Sequence, residues 1–348
     1  MEAVSTGFCR PAAGRRIWDD PAREGVDMRL SVLDTSPIVQ GSTARQALHN
    51  SVDLARFADS LGYHRYWVPE HHGMRGVASS APAVLVARIA DATDRIRVGS
   101  GGVLLPNHAP LIVAEQFGTL EALHPGRIDL GLGRAAGGPP QAVAAVRGAQ
   151  TSAPFGERLH ELLGYFEPAA GAVTAVPAAG NRPQVWVLGS STASAELAGA
   201  TGLPYAFAHH LNPGGLDAVR RYRDSFRPSP VASEPQVLVS ASVIAADTDE
   251  HAEWLAGSTR SKVLSRLRGN RILLPSPQDA AAHPRTTADR EELAARRHEV
   301  VVGSPATVRG ELDAVLTATG ADEIMVTTPV YDHVERRRSY ELLSAFID

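Results

Sequence analysis

Arg29-Leu30-Ser31-Val32-Leu33-Asp34, then a helical run over 43–62, then His64-Arg65-Tyr66-Trp67-Val68-Pro69: this stretch decides the fold. The outer segments are short and rich in branched and aromatic residues, as strands are. Between them Thr43, with Gln46 three residues on, reads as a capping box. Leu48, Val52, Ala55, Ala58 and Leu61 follow on one helical face, and Gly62 stops the run. Strand, helix and strand in this order form a parallel pair with its crossover. The alternation continues, with strand-like runs at 96–105, 127–132, 184–188, 204–208, 237–245 and 323–327. Helical runs follow Ser80, Pro110 and Ser304, and another begins at Thr192. Eight strand–helix units without an internal break predict an α/β fold, a single (β/α)8 TIM barrel rather than a doubly wound sheet with a second domain.

The 348 residues suit one such barrel over 28–348. Residues 1–27 carry no periodicity and read as a flexible N-terminal extension. Two segments break the rhythm, 135–183 and 270–302, and are expected as insertions at the C-terminal face of the barrel, where long loops serve as lids or binding loops.

Composition narrows the chemistry. With 44% apolar and 21% charged residues the chain is globular material, not a disordered or fibrous one. Thirty-four basic against 38 acidic side chains leave a net charge of −4, with no cationic excess to hold nucleic acid. Lys262 is the only lysine, so an anion site is expected to use arginine. A single cysteine, Cys9, excludes internal disulfides and cysteine-held metal clusters. No apolar run approaches the ~20 residues of a membrane span, and 1–27 has no signal-peptide core. A cytoplasmic protein is expected.

Barrel active sites lie at the C-terminal ends of the strands. Polar residues concentrate there: Glu70-His71-His72 after strand 2, Gly101-Gly102 and then Asn107-His108 at strand 3, Arg134 after strand 4, Ser190-Ser191 with Ser194 after strand 5, and His209-His210 after strand 6. A carboxylate beside two imidazoles suits proton transfer or metal binding, although adjacent histidines at a strand end are as often structural. Serines where a strand turns into a helix make an anion cradle or a plain N-cap. Arg134 is the counter-charge to a phosphate or a surface ion pair. A metal site is disfavoured, because Asp34-Thr35-Ser36 after strand 1 offers few ligands. Gly131-Leu132-Gly133 followed by Ala136 mimics a dinucleotide fingerprint, but it runs into Gly137-Gly138-Pro139-Pro140 instead of a helix.

Several stretches together resemble one family. They are Trp67-Val68-Pro69-Glu70-His71-His72, Val98-Gly99-Ser100-Gly101-Gly102-Val103-Leu104-Leu105-Pro106, Gly126-Arg127-Ile128-Asp129-Leu130-Gly131-Leu132-Gly133-Arg134, Leu188-Gly189-Ser190-Ser191, Ala208-His209-His210 and Gly303-Ser304-Pro305. The chain from Arg29 onward resembles the luciferase-like, flavin-dependent monooxygenases, in particular the single-chain subgroup that includes antibiotic-pathway tailoring oxygenases. The resemblance implies that FMNH2 binds at the barrel mouth and reacts with O2. A C4a-hydroperoxide then hydroxylates or epoxidises a small organic, secondary-metabolite substrate. It implies a separate flavin reductase and a homodimer, whose packing the small residues Ala81, Ala83, Ala87 and Ala90 of the second helix would suit. By motif match His71 is the catalytic residue with Glu70 and His72 in support, and Gly101, Gly102, Arg134, Ser190, Ser191, Ser194 and His209 bind the cofactor. The family pattern also implies a non-proline cis peptide between Gly101 and Gly102, against the alternative of a trans bond that merely lets flavin approach. Deazaflavin-dependent hydride transfer and non-catalytic flavin binding are the other activities of this fold. Gly133 stands where the larger subunit of bacterial luciferase has a cysteine, so neither light emission nor a long-chain aldehyde substrate follows.

Overall fold

The computed structural model describes residues 28–147, 153–168, 173–283 and 285–347; the expected extension over 1–27 lies outside them. Its strands are β1 (Leu30–Leu33), β2 (Arg65–Val68), β3 (Arg97–Leu104), β4 (Ile128–Gly133), β5 (Gln184–Gly189), β6 (Tyr205–Phe207), β7 (Val237–Ala245), β8 (Val301–Gly303) and β9 (Glu323–Thr327). Its helices are α1 (Ala44–Ser60), α2 (Pro82–Ala90), α3 (Pro110–Leu123), α4 (Pro140–Arg147), α5 (Phe155–Gly164), α6 (Thr192–Thr201), α7 (Asp217–Ser225), α8 (Asp249–Leu267), α9 (Pro277–Ala281), α10 (Thr287–Ala295), α11 (Pro305–Thr319) and α12 (His333–Ser344). The strands pair in the order β6-β5-β4-β3-β2-β1-β9-β7, and a β6–β7 pairing closes the ring. Every pairing in the ring is parallel. The eight expected strands therefore build the TIM barrel. The ninth, β8, extends only the C-terminal end of β7, with Val243 opposite Val301; three residues are too few to carry a strand pattern.

The period-two alternation of each strand sorts its side chains into two cores. Leu30, Val32, Tyr66, Val68, Ile128, Leu130, Ile324 and Val326 face outward against helix residues such as Leu54, Ala55 and Ala58. The alternate residues Leu33, Trp67, Trp186, Ala206, Leu238 and Met325 fill the middle of the barrel. Below them, at the strand starts, the filling is polar. The Arg65 Nε donates to both Glu323 oxygens at 3.0–3.1 Å, and its Nη1 donates to Asp129 at 2.7 Å and to Gln184 at 2.9 Å. Trp67 and Arg97 also donate to Asp129, and Ser31 to Glu323. This layer is dry, with Arg65 5% and Asp129 0% exposed. Gly99 is required beside it, since a Cβ there would come within 2.4 Å of the Asp129 carbonyl oxygen.

Local signals acted largely as read. Thr43 caps α1 by accepting from the Gln46 amide, but the Gln46 side chain turns to Asn50, so only half of the capping box forms. Gly202 ends α6 and Gly320 ends α11 in left-handed conformations. Of the α2 alanines, Ala90 is buried and Ala83 and Ala87 pack on this barrel's own core; the exposed apolar residue of α2 is Val84, 72% accessible. No helix among the described residues is long and apolar enough to cross a membrane.

The insertions have different limits from those the rhythm suggests. Among the described residues of 135–183, the stretch up to α4 stands at the mouth. α5 buries Leu159 and Leu162 in the outer core and serves as an ordinary barrel helix. The second excursion starts earlier than 270. α8 does not descend along the barrel wall: Thr259 donates to the Pro329 carbonyl beyond the end of β9, and the chain after α8 pairs at Leu274 with Val39 beyond β1. The excursion thus spans 246–304, and α11 is the barrel helix that follows it. Pro284, one of the prolines that marked this segment, lies outside the described residues.

Removing the Arg65 cation leaves buried Glu323 without a guanidinium partner and Asp129 with Arg97 alone to balance it. Arg65→Met is expected to lower the unfolding free energy by about 3–5 kcal/mol, measured by urea denaturation; a loss under about 1 kcal/mol would show that the layer does not hold the barrel.

Candidate active site

Glu70 leaves the end of β2 and is buried, 2% exposed. Its carboxylate accepts from the Leu104 amide at 2.9 Å, the Asn107 side-chain amide at 3.1 Å, and meets His72 Nε2 at 2.7 Å and His108 Nε2 at 2.8 Å. Burial pushes this carboxyl up, but the bonds from His108, Leu104 and His72 outweigh it and hold Glu70 below its usual range. It is a fixed anion that ties β2 to the turn after β3. His71, its neighbour, keeps its Nδ1 buried without a hydrogen-bond partner. Burial, and secondarily His72, lower its pKa against the opposing pull of Glu70, so the imidazole is neutral near pH 7. His72 is anchored by its backbone amide to the Gly137 carbonyl at 2.8 Å, which fastens the first insertion to the mouth.

The Gly101-Gly102 peptide is cis. The space a side chain would need is already taken: a Cβ on Gly102 would lie 2.6 Å from the Gly131 carbonyl, and one on Gly101 3.0 Å from Trp67 and Leu33. Glycine is demanded here by the protein's own packing before any ligand is considered.

Across the mouth, Ser191 caps α6 and accepts from the Ser194 amide. The Arg134 guanidinium reaches from the end of β4 to the Ser191 hydroxyl at 3.4 Å. Ser194 Oγ is 3.3 Å from both the Ser191 and Tyr205 hydroxyls, and the Asn212 amide donates to the Ser190 carbonyl. The cluster therefore joins β4, β5 and β6 in a set of hydroxyl and guanidinium groups at a helix N-terminus. His209 sits in a 3-10 turn edge-on to Phe207, with its pKa lowered by burial and by His298. His210 pairs with Ser240.

The structure thus gathers Glu70, His71 and His72 on one side of the mouth and Arg134, Ser190, Ser191 and Ser194 on another, with Gly101 and Gly102 between them on β3. Tyr205 was not singled out from the sequence, and Asn107 and His108 were given no role. Tyr205 is buried in β6, where it scans as core; its donation to the Gly189 carbonyl and approach to Ser194 depend on strand register. Asn107 and His108 were visible after strand 3, but their convergence on Glu70 needs the fold of that turn.

Residues 28–323 match the luciferase-like monooxygenase family, and the chain belongs to it. A luciferase-like monooxygenase of Escherichia coli (strain K12) is 43% identical over 318 residues, 90% of this chain and 95% of its own. N-acetyl-S-alkylcysteine monooxygenase of Bacillus subtilis (strain 168) is 34% identical over 327 residues, 91% of this chain and 97% of its own. The crystal structure of apo-MsnO8 superimposes with a TM-score of 0.86 at 40% identity, over 92% of this chain and 98% of that one. The fold alone is shared at lower identity. The oxygenating constituent of 3,6-diketocamphane monooxygenase in complex with FMN is 23% identical, with a TM-score of 0.66 over 92% and 98% of the two chains. An F420-dependent secondary alcohol dehydrogenase is 17% identical, with a TM-score of 0.60 over 93% and 100%.

The buried histidines make stability depend on pH. Burial, with His209 and His71, pushes His210 down to about 4, below the ~6.5 of an unfolded histidine. Between these values the unfolded chain binds more protons, so stability falls as pH drops from 6.5 towards 4. By this linkage wild type loses about 2 kcal/mol through His210 between pH 7 and pH 5. His210→Gln is expected to flatten most of that slope in urea titrations at the two pH values; an unchanged slope would refute the assignment.

Proposed function

We propose that this chain is a two-component monooxygenase dependent on FMNH2 and O2, which hydroxylates or epoxidises a small organic substrate. The observation that carries the reading is the cluster at the start of α6, where Arg134 and Ser194 meet at Ser191 and, among the described residues, no carboxylate is bonded to any of the three. That donor set fits a phosphate monoester: a guanidinium for the charge, hydroxyls and helix N–H groups for its oxygens. Arg134, Ser190, Ser191 and Ser194 would hold the phosphate, with Gly101, Gly102 and His209 lining the cofactor's place. Bound FMNH2 would supply the two electrons that let O2 give up one oxygen atom to the substrate.

The remaining work falls to this chain's residues. His71 is neutral and its ring makes no hydrogen bond among the described residues, so the imidazole can accept or return a proton. Glu70, held ionised by four partners, fixes His72 and His108 and keeps the wall beside His71 rigid. The first insertion, fastened through Gly137, and α8, laid along the rim, limit water at the mouth. Membership of a monooxygenase family supports oxygen insertion over hydride transfer. A separate reductase belongs to the proposal, because the sequence offers no dinucleotide fingerprint. So does a homodimer, for which Val84 on α2 and Ile112 and Leu123 on α3 are exposed apolar residues.

Arg134→Ala is expected to weaken FMN binding by about 1.5–3 kcal/mol, the scale of a charge-assisted hydrogen bond, and riboflavin binding far less. Fluorescence titration with both flavins measures the contrast. Equal losses would remove the phosphate role from Arg134.

A further inference from the structure

The rim of the mouth opposite the α6 cradle carries a cation that nothing in the proposed chemistry uses. α8 starts at the end of β7, bonds through Thr259 to Pro329 beyond β9, and brings Lys262 over the ends of β1 and β2. The Lys262 Nζ lies 3.8 Å from where a Gly76 Cβ would stand, a point also 3.6 Å from Leu273 and 3.9 Å from the Ile38 carbonyl. Three segments of the mouth thus surround it: the loop after β1, the loop after β2 that begins with Glu70-His71, and the strap after α8. Lys262 is half-buried, and among the described residues it makes no hydrogen bond or ion pair. Burial, and then Arg266, lower its pKa; no carboxylate opposes them.

Its surroundings are cationic as well. Arg75 adjoins Gly76, Arg266 lies one turn along α8, and Arg271 precedes Leu273; each is exposed and, among the described residues, unpartnered. By contrast Arg260 and Arg268 of the same helix and its end are paired with Glu253 and Asp289. A half-buried ammonium with no carboxylate bonded to it among the described residues is partly stripped of water and open to an anion. The flavin phosphate is not that ligand if it sits on Ser191, because in the closed ring β5 and β1 are four strands apart in either direction.

We propose that Lys262 binds the carboxylate of the organic substrate at the β1–β2 side of the mouth, with Arg75, Arg266 and Arg271 drawing the anion in. One ammonium against Leu273 and the Gly76 backbone matches a monoanion carried on an apolar body. This assignment rests on the mouth being the oxygenase site proposed above, and Lys262 acts in specificity, not in the oxygen chemistry.

That Lys262 is the only lysine makes the test direct. Reductive methylation of the whole chain with 13C-formaldehyde puts one labelled dimethyl-lysine signal in the NMR spectrum, identified by its loss in Lys262→Arg. Octanoate and phenylacetate are titrated in, each against its amide. The expected result is a saturable shift with an acid, a Kd at least tenfold tighter than that of the matching amide, and a rise in the pH midpoint of the signal when the acid is bound. No shift with either acid, or equal shifts with the amides, would overturn the proposal. The readout needs neither flavin nor O2, so failure of the oxygenase reading and failure of the acid site are told apart.

Discussion

The Arg65 guanidinium, clamped between Asp129 and Glu323 at the base of the barrel, is the constraint on which the other layers rest. Charged groups taken out of water are stable only when fully paired, and here the pairs span β2, β4 and β9. Together with Arg97 and Ser31 they fix how five strands meet. Above this layer the alternation of each strand sets the Trp67–Trp186 edge contact, with centroids 5.6 Å apart, as a dry middle. Above that again, the strands end in polar residues at the mouth. A sealed base and an apolar middle leave the C-terminal strand ends as the place where the polar residues Glu70, His71, Arg134 and Ser191 collect.

The barrel itself was readable because each unit carried its own local signals. The Thr43 cap and Gly62 bracket α1, Pro82 and Pro110 open α2 and α3, and branched residues mark each strand. What the sequence did not distinguish was where a helix packs. α8 has the length and capping of a barrel helix, with Thr248 accepting from the His251 amide, yet it lies along the rim. α5, inside a segment rich in alanine, glycine and proline, packs on the wall. Helical spacing states that a face exists; only tertiary contact states what it meets. β8 was invisible because a three-residue edge has no period.

At the mouth the legible part was again what belongs to a strand end. Glu70-His71-His72 and Ser190-Ser191 follow directly from where strands stop. The four-way grip on Glu70 is different in kind, since Leu104, Asn107 and His108 come from a turn whose shape no propensity specifies. Gly101 and Gly102 were read as a cis peptide beneath the flavin's place, and the peptide is cis; what the sequence did not state is that Gly131, Trp67 and Leu33 already fill the space their side chains would need. Lys262 was noticed only as the lone lysine; its place between three mouth segments follows from the path of α8.

Oxygen-18 incorporation tests the central claim most directly. The chain would be supplied with FMNH2 by a purified reductase under 18O2, with a panel of aromatic, aldehyde and acid substrates, and the products read by mass spectrometry. The account predicts a product carrying one 18O atom, with the rate reduced ~10²–10⁴-fold in His71→Ala while FMN affinity is kept. Product without label, or turnover supported by F420 and not by FMNH2, would contradict it.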